Sequence, residues 1–261
     1  MKYAVTILLA IVFFAWQPFA QQSVLNTDIH SGTSNKVVFV YGGQINKTFL
    51  KYVTTLTDKT NPKICFIPTA SGDNPDYIES WNKMCKQFSF ESHVLRTFSA
   101  SSNSQTFEEQ LLQMDGIIVG AGNAINMLAV WKAQGIDTIL RKAYEKGIVI
   151  AGGSAGSLCW FKNGYTGSRP LGLTKIEGLN FLNFSHCPHY HSDPKRRPQY
   201  EQGILNGDIL PGYACDDLSG LLFVNGEFKK SVSLDKANNN YFVSVVDGKL
   251  TEELLPSEII K

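Results

Sequence analysis

Cysteine is sparse in this 261-residue sequence: Cys65, Cys85, Cys159, Cys187 and Cys215 are scattered, odd in number and form no C-x-x-C pair. That excludes a disulfide framework and a zinc ribbon, and leaves the thiols as small buried side chains. Neither sign of charge predominates, since 24 basic and 23 acidic residues give a net charge of +1. The electrostatic footprint of a nucleic-acid binder is therefore missing, and a small molecule or short peptide is the expected partner. No apolar run is long enough to span a bilayer, which takes roughly 20 residues. The longest, "YAVTILLAIVFFAW", has about 14. It follows Lys2 and leads to Ala20, the order of a secretory signal, so residues 1–20 are expected to be removed and the protein exported.

What remains is rich enough in apolar residues, 43% of the chain, for a large core. Residues 21–35 lack apolar periodicity and read as a linker, and 36–261 as one domain. In that domain β-rich apolar runs alternate with helix-compatible segments: "KVVFVYGG" then 47–58, "KICFIPTA" then 75–89, "ESHVLRTF" then 106–113, "GIIVGAG" then 124–145, "GIVIAGG" then 155–161. Such alternation predicts an α/β fold, a mostly parallel sheet with helices on both faces, whose ligands bind at the carboxyl ends of the strands. Beyond about 180 the pattern changes to a helix at "RRPQYEQGIL" and antiparallel strands added to the same domain, with a hairpin at Asn225-Gly226. Asn46-Lys-Thr48 and Asn183-Phe-Ser185 match the glycosylation acceptor pattern.

Gly152-Gly153-Ser154-Ala155-Gly156 fits G-x-S-x-G, in which small neighbours let a serine stand on a strained strand-to-helix turn. That turn would give Ser154 the Ala155 amide as an oxyanion donor. A serine needs a base. His30 lies in the linker and His93 at the wrong end of a strand, leaving His186, His189 and His191 in "SHCPHYHSDPKRRPQY". These three also suggest H-x-x-H-x-H metal ligation, but in an extended chain His186 points away from the other two. Carboxylates able to orient the base are Glu177, Asp216 and Asp217. "GAGNAINML" lacks the spacing and the Lys-Ser/Thr of a phosphate loop, and its Gly122 is a second candidate oxyanion donor.

Taken together, "GAGNAINML", "AGGSAGSLCWF", "CPHYHSDPKRRPQY" and "GYACDDLSG", from Gly120 to Gly220, resemble the peptidase E family of serine exopeptidases. Cyanophycinase is among its relatives, and the family shares the class I glutamine amidotransferase-like fold. The resemblance implies Ser154 as nucleophile, His189 as general base and Gly122 at the oxyanion hole. It implies hydrolysis of dipeptides or short peptides with an amino-terminal aspartate, without a cofactor or a metal. Relatives often carry an acid within about 20 residues after the serine; none stands in "LCWFKNGYTGSRPL", so Asp217 is the expected third member, with Asp216 and Glu177 behind it. Arg196 or Arg197 would grip an acidic side chain and Asn123 would line the site. Where members commonly read "HYDxE" this chain has His191 and Asp193, and Gly167 is a second departure. An inactive peptide-binding relative, or a hydrolase or esterase of other specificity, are the alternatives. No stable membrane association is expected after signal removal, and a homodimer stays open.

Overall fold

The structure, a computed structural model, describes residues 34–98, 105–170 and 172–261. The expected signal, nearly all of the linker and His30 lie outside the described residues.

The first half of the domain is the predicted alternation. Strand β1 (Val37–Tyr41) leads to helix α1 (Lys47–Leu56), β2 (Lys63–Ile67) to α2 (Pro75–Cys85), and β3 (Glu91–Val94) to α3 (Phe107–Leu111). Then β4 (Gly116–Val119) is followed by α4 (Ala124–Gln134) and α5 (Ile136–Glu145), and β5 (Val149–Gly153) by the single turn α6 (Ala155–Leu158). Strands β1, β5, β4, β2 and β3 pair in that order, all parallel. Because side chains alternate along a strand, Val38, Val40, Ile117, Val119 and Ile150 pack with Trp131 and Leu140 of α4 and α5. Phe39, Phe66, Ile118, Val149 and Ala151 face Phe49, Leu50 and Trp81 of α1 and α2. Helices therefore cover both faces.

All five helix-compatible stretches are longer than the helices they contain, and two show why. The stretch 124–145 breaks at Gly135, whose φ of 72° ends α4 in a left-handed cap. The stretch 155–161 stops at Leu158 because Phe161 already begins a strand.

The carboxyl-terminal part differs most from expectation. The first sheet is extended by β10 (Ser219–Val224), antiparallel to β1, then β11 (Glu227–Ser233) and β14 (Ser257–Ile259). Asn225 and Gly226, both at positive φ (55° and 83°), turn β10 into β11 as the sequence predicts. The other strands build a second sheet that starts at Phe161, well before residue 180. It comprises β6 (Phe161–Arg169), β7 (Gly172–Glu177), β8 (Leu182–Pro188), β9 (Gly212–Cys215), β12 (Asn240–Val246) and β13 (Lys249–Leu255). The expected antiparallel strands are there, in the pairs β6–β7, β9–β12 and β12–β13, while β6, β8 and β9 run parallel to one another. Phe161, Leu182, Tyr213 and Cys215 of this sheet enter the same core as α4 and α5, while α7 (Arg196–Leu205) covers the opposite face through Tyr200 and Ile204.

Candidate active site

Where β5 ends, Ser154 sits at φ 55° and ψ −116°, a conformation side-chain-bearing residues rarely hold. Its neighbours explain the motif sterically. A Cβ on Gly152 would lie 2.1 Å from the carbonyl oxygen of Gly156, one on Gly156 2.2 Å from that of Val119, and one on Gly153 2.1 Å from the Tyr41 ring. The Ser154 carbonyl accepts the amides of Ser157 and Leu158 at 3.1 and 3.0 Å, which closes the turn of α6.

The hydrogen-bond partner of Ser154 comes from the other sheet. His189 leaves β8 at φ 58° and places Nε2 2.8 Å from Ser154 Oγ. Its Nδ1 lies 2.6 Å from Asp217 Oδ1, which also accepts a hydrogen bond from Ser192 Oγ at 2.9 Å. Asp217 stands in the crossing from β9 back to β10. That turn packs on Gly42-Gly43 after β1: the Gly43 amide donates to the Asp217 carbonyl at 3.1 Å, and a Cβ on Gly42 would lie 2.3 Å from the Asp216 carbonyl. A serine from the first sheet, a histidine from the second and an aspartate from the crossing thus form one hydrogen-bonded line.

Beside Ser154, β4 pairs with β5 through Val119 and Gly152, so the loops following the two strands are neighbours. Gly122 in that loop has φ 142° and lies against Ala70, whose carbonyl oxygen a Cβ would approach to 2.2 Å. Neither the Gly122 nor the Ala155 amide has an acceptor among the described residues. Asn123 caps α4 through Oδ1 and donates from Nδ2 to the Ser168 carbonyl at 3.1 Å, so its side chain serves the loop itself. Gln44, Ser71, Asn74, Tyr77 and Gly122 line a depression of about 320 Å³ on this side.

The remaining carboxylates and arginines separate cleanly. Glu177 is on β7 with its side chain 54% exposed, next to Lys162. Buried Asp216 accepts the His191 Nδ1 hydrogen bond at 2.8 Å and the Asn239 amide at 2.8 Å, which ties down the loop carrying His189. Arg197 spans Glu201 and Glu252 at 2.8 and 3.1 Å. Arg196, its side chain only 11% exposed, bonds Asp193 at 3.3 Å and the Tyr165 carbonyl at 3.1 Å. Its Nη2 faces Gly167, 3.5 Å from where a Cβ there would stand, and has no partner among the described residues. His93, on edge strand β3, pairs with Glu91.

The three clustered histidines do not converge, and no group of metal-ligating side chains gathers among the described residues. His186 is fully buried, with Nδ1 2.9 Å from the Tyr213 carbonyl and Nε2 3.0 Å from Ser157 Oγ. Burial pushes its pKa down to about 3 and keeps it neutral. Of the glycosylation patterns, Asn46 caps α1 with a buried amide nitrogen, whereas Asn183 is exposed on β8.

Sequence reading passed over Gly42-Gly43 and Ser192. The first left a usable signal, a double glycine at a strand's carboxyl end. The second left none, being a serine in a polar loop.

The family model for peptidase family S51 matches residues 37–231. The chain is 38% identical over 212 residues to the uncharacterized peptidase YgaJ of Bacillus subtilis (strain 168), an alignment covering 81% of this chain and 90% of that protein. Against the uncharacterized peptidase Lmo0363 of Listeria monocytogenes (strain EGD-e) it is 27% identical over 56% of this chain and 73% of the relative. The fold matches a peptidase from an acI-B1 Actinobacterium with a TM-score of 0.69 at 15% identity, over 88% of this chain and 98% of the other. A Listeria monocytogenes EGD-e structure carrying the peptidase E name aligns with a TM-score of 0.57 at 22% identity, over 77% and 100%. With a family match that takes in the elbow, the histidine loop and the aspartate turn alike, the chain belongs to peptidase family S51, the peptidase E family of serine-type peptidases.

Proposed function

We propose that this peptidase removes an amino-terminal aspartate from dipeptides or short peptides through an acyl-enzyme formed on Ser154. The observation carrying this reading is the unbroken line Ser154 Oγ, His189 Nε2, His189 Nδ1, Asp217 Oδ1, with separations of 2.8 and 2.6 Å. His189 takes the Ser154 proton as Oγ attacks the scissile carbonyl carbon. The resulting oxyanion is held by the Gly122 and Ala155 amides. The same proton passes to the leaving amine as the C–N bond breaks, and a water molecule, deprotonated by His189, then releases the aspartate. Asp217 accepts from Nδ1, so it fixes the tautomer in which Nε2 is free to act as base.

Between the two arginines, Arg196 is better suited to an aspartate side chain: Nη2 is uncommitted and Gly167 leaves space in front of it, whereas Arg197 is shared between two carboxylates. The amino-terminal signal pattern supports export, with a mature chain beginning near residue 21.

The test is a dipeptide panel with Asp, Asn, Glu or Ala at the amino terminus, read for wild type, Ser154→Ala and Asp217→Asn. Asp is expected to be preferred, and each variant to lose about 10⁴-fold or more in turnover while keeping its fold. Wild-type turnover by Ser154→Ala would remove the mechanism. Equal turnover across the panel would remove the specificity, and loss with Glu177→Gln in place of Asp217→Asn would move the acid.

A further inference from the structure

The bond from Ser154 to His189, 2.8 Å long, runs beside a second serine–histidine bond. Ser157 follows Ser154 by one turn of α6, and His186 precedes His189 by three residues on β8. Their side chains meet at 3.0 Å between Oγ and Nε2, and both residues are 0% exposed. One pair is wet and the other dry, and both cross from the elbow of the first sheet to β8 of the second.

The protons of the dry pair can be placed. Nδ1 of His186 faces the Tyr213 carbonyl at 2.9 Å, an acceptor only, so this nitrogen carries the hydrogen. The neutral ring then presents a bare Nε2 that needs a donor. Ser157 Oγ also lies 2.8 Å from the Ser154 carbonyl, but that oxygen already accepts two backbone amides. The single Ser157 proton is therefore best used by His186, where the buried lone pair would otherwise have nothing. Further packing sets the ring: it stacks on Phe161 with centroids 4.4 Å apart. Gly164, opposite His186 in β6, removes a side chain that would stand 2.4 Å from the His186 carbonyl and 2.6 Å from Leu158. The elbow helix and β8 can approach only because that position is empty.

From this geometry we infer that Ser157 and His186 are positioning residues, a buried brace that fixes the elbow against β8 and so sets the separation of Ser154 and His189. This rests on Ser154 and His189 being the reacting pair. A shift of the order of 1 Å between reacting groups costs up to about 100-fold in rate.

The experiment compares wild type, Ser157→Ala and the double variant Ser157→Ala/His186→Phe in the full chain. Ser157→Ala is expected to lower kcat for the best Asp-X dipeptide about 10- to 100-fold with KM changed less than twofold. Replacing both polar groups with apolar ones costs little stability, so the double variant should recover the thermal midpoint while its kcat stays low. Wild-type kcat in Ser157→Ala, or return of kcat together with stability in the double variant, would overturn the brace. Long-range ¹⁵N–¹H spectra provide a reading independent of turnover. His186 should carry its proton on Nδ1 at pH 7, and the His189 ring signals should move in Ser157→Ala. A proton on His186 Nε2, or unmoved His189 signals, would overturn the brace as well. Failure of the wild type to hydrolyse any dipeptide or to react with a serine-directed phosphonate would instead count against the proposed function, with the spectra still deciding the brace.

Discussion

Ser154 and His189 both hold positive φ, at a cost of the order of 1–3 kcal/mol each. They are held there from outside, Ser154 by the glycines around it and His189 by a loop in which Asp216 bonds the His191 ring and amide. His186 adds a pH dependence of definite sign. Its folded pKa is near 3 against an ordinary 6.5, so the unfolded chain binds a proton that the folded one refuses. Between those two values stability falls as the pH falls, by up to about 1.4 kcal/mol per pH unit, and above 6.5 the contribution is flat. The difference between wild type and His186→Phe in urea unfolding, followed from pH 8 to pH 4, isolates this residue from the carboxylates; a difference independent of pH would refute it. From sequence, the histidines could be sorted by chain position, but the fate of His186 could not be read, since a buried histidine and a surface one look alike without their partners.

At the scale of elements, the parallel strands were legible because runs such as Ile117-Ile118-Val119 are apolar on both faces, as double burial requires. The strand β6 was not, because "FKNGYTGSR" mixes charge, glycine and apolar residues and gains its pairing from β8, a long-range partner. The glycines that end strands carried the most information. Gly152 shows why: it faces the Gly156 carbonyl at 2.1 Å from any added Cβ, backbone against backbone, with no flexible side chain to yield. Gly152→Ala should therefore displace the elbow, destabilise the fold by about 1–3 kcal/mol and reduce phosphonate labelling of Ser154, as measured by thermal melts and mass spectrometry. Wild-type labelling at a wild-type melting temperature would contradict the steric reading.

At the scale of the molecule, the strand order of the first sheet, β14-β11-β10-β1-β5-β4-β2-β3, seats the first strand beside β10 from far along the chain. Local pattern could not reveal that a second sheet intervenes, nor that the glycines after β1 receive the turn holding Asp217. The same order bears on synthesis. A growing chain exposes Ser154 early, yet His189, Asp217 and the strand that pairs with β1 all emerge later, the last of them ending at Val224. Until then the nascent protein carries the proposed nucleophile without the complete line that would activate it. Chains released after residue 210 should not react with a serine-directed phosphonate, whereas full-length chains should. On the proposed mechanism, then, the order in which the strands are wound delays the first possible cut until the chain is nearly complete.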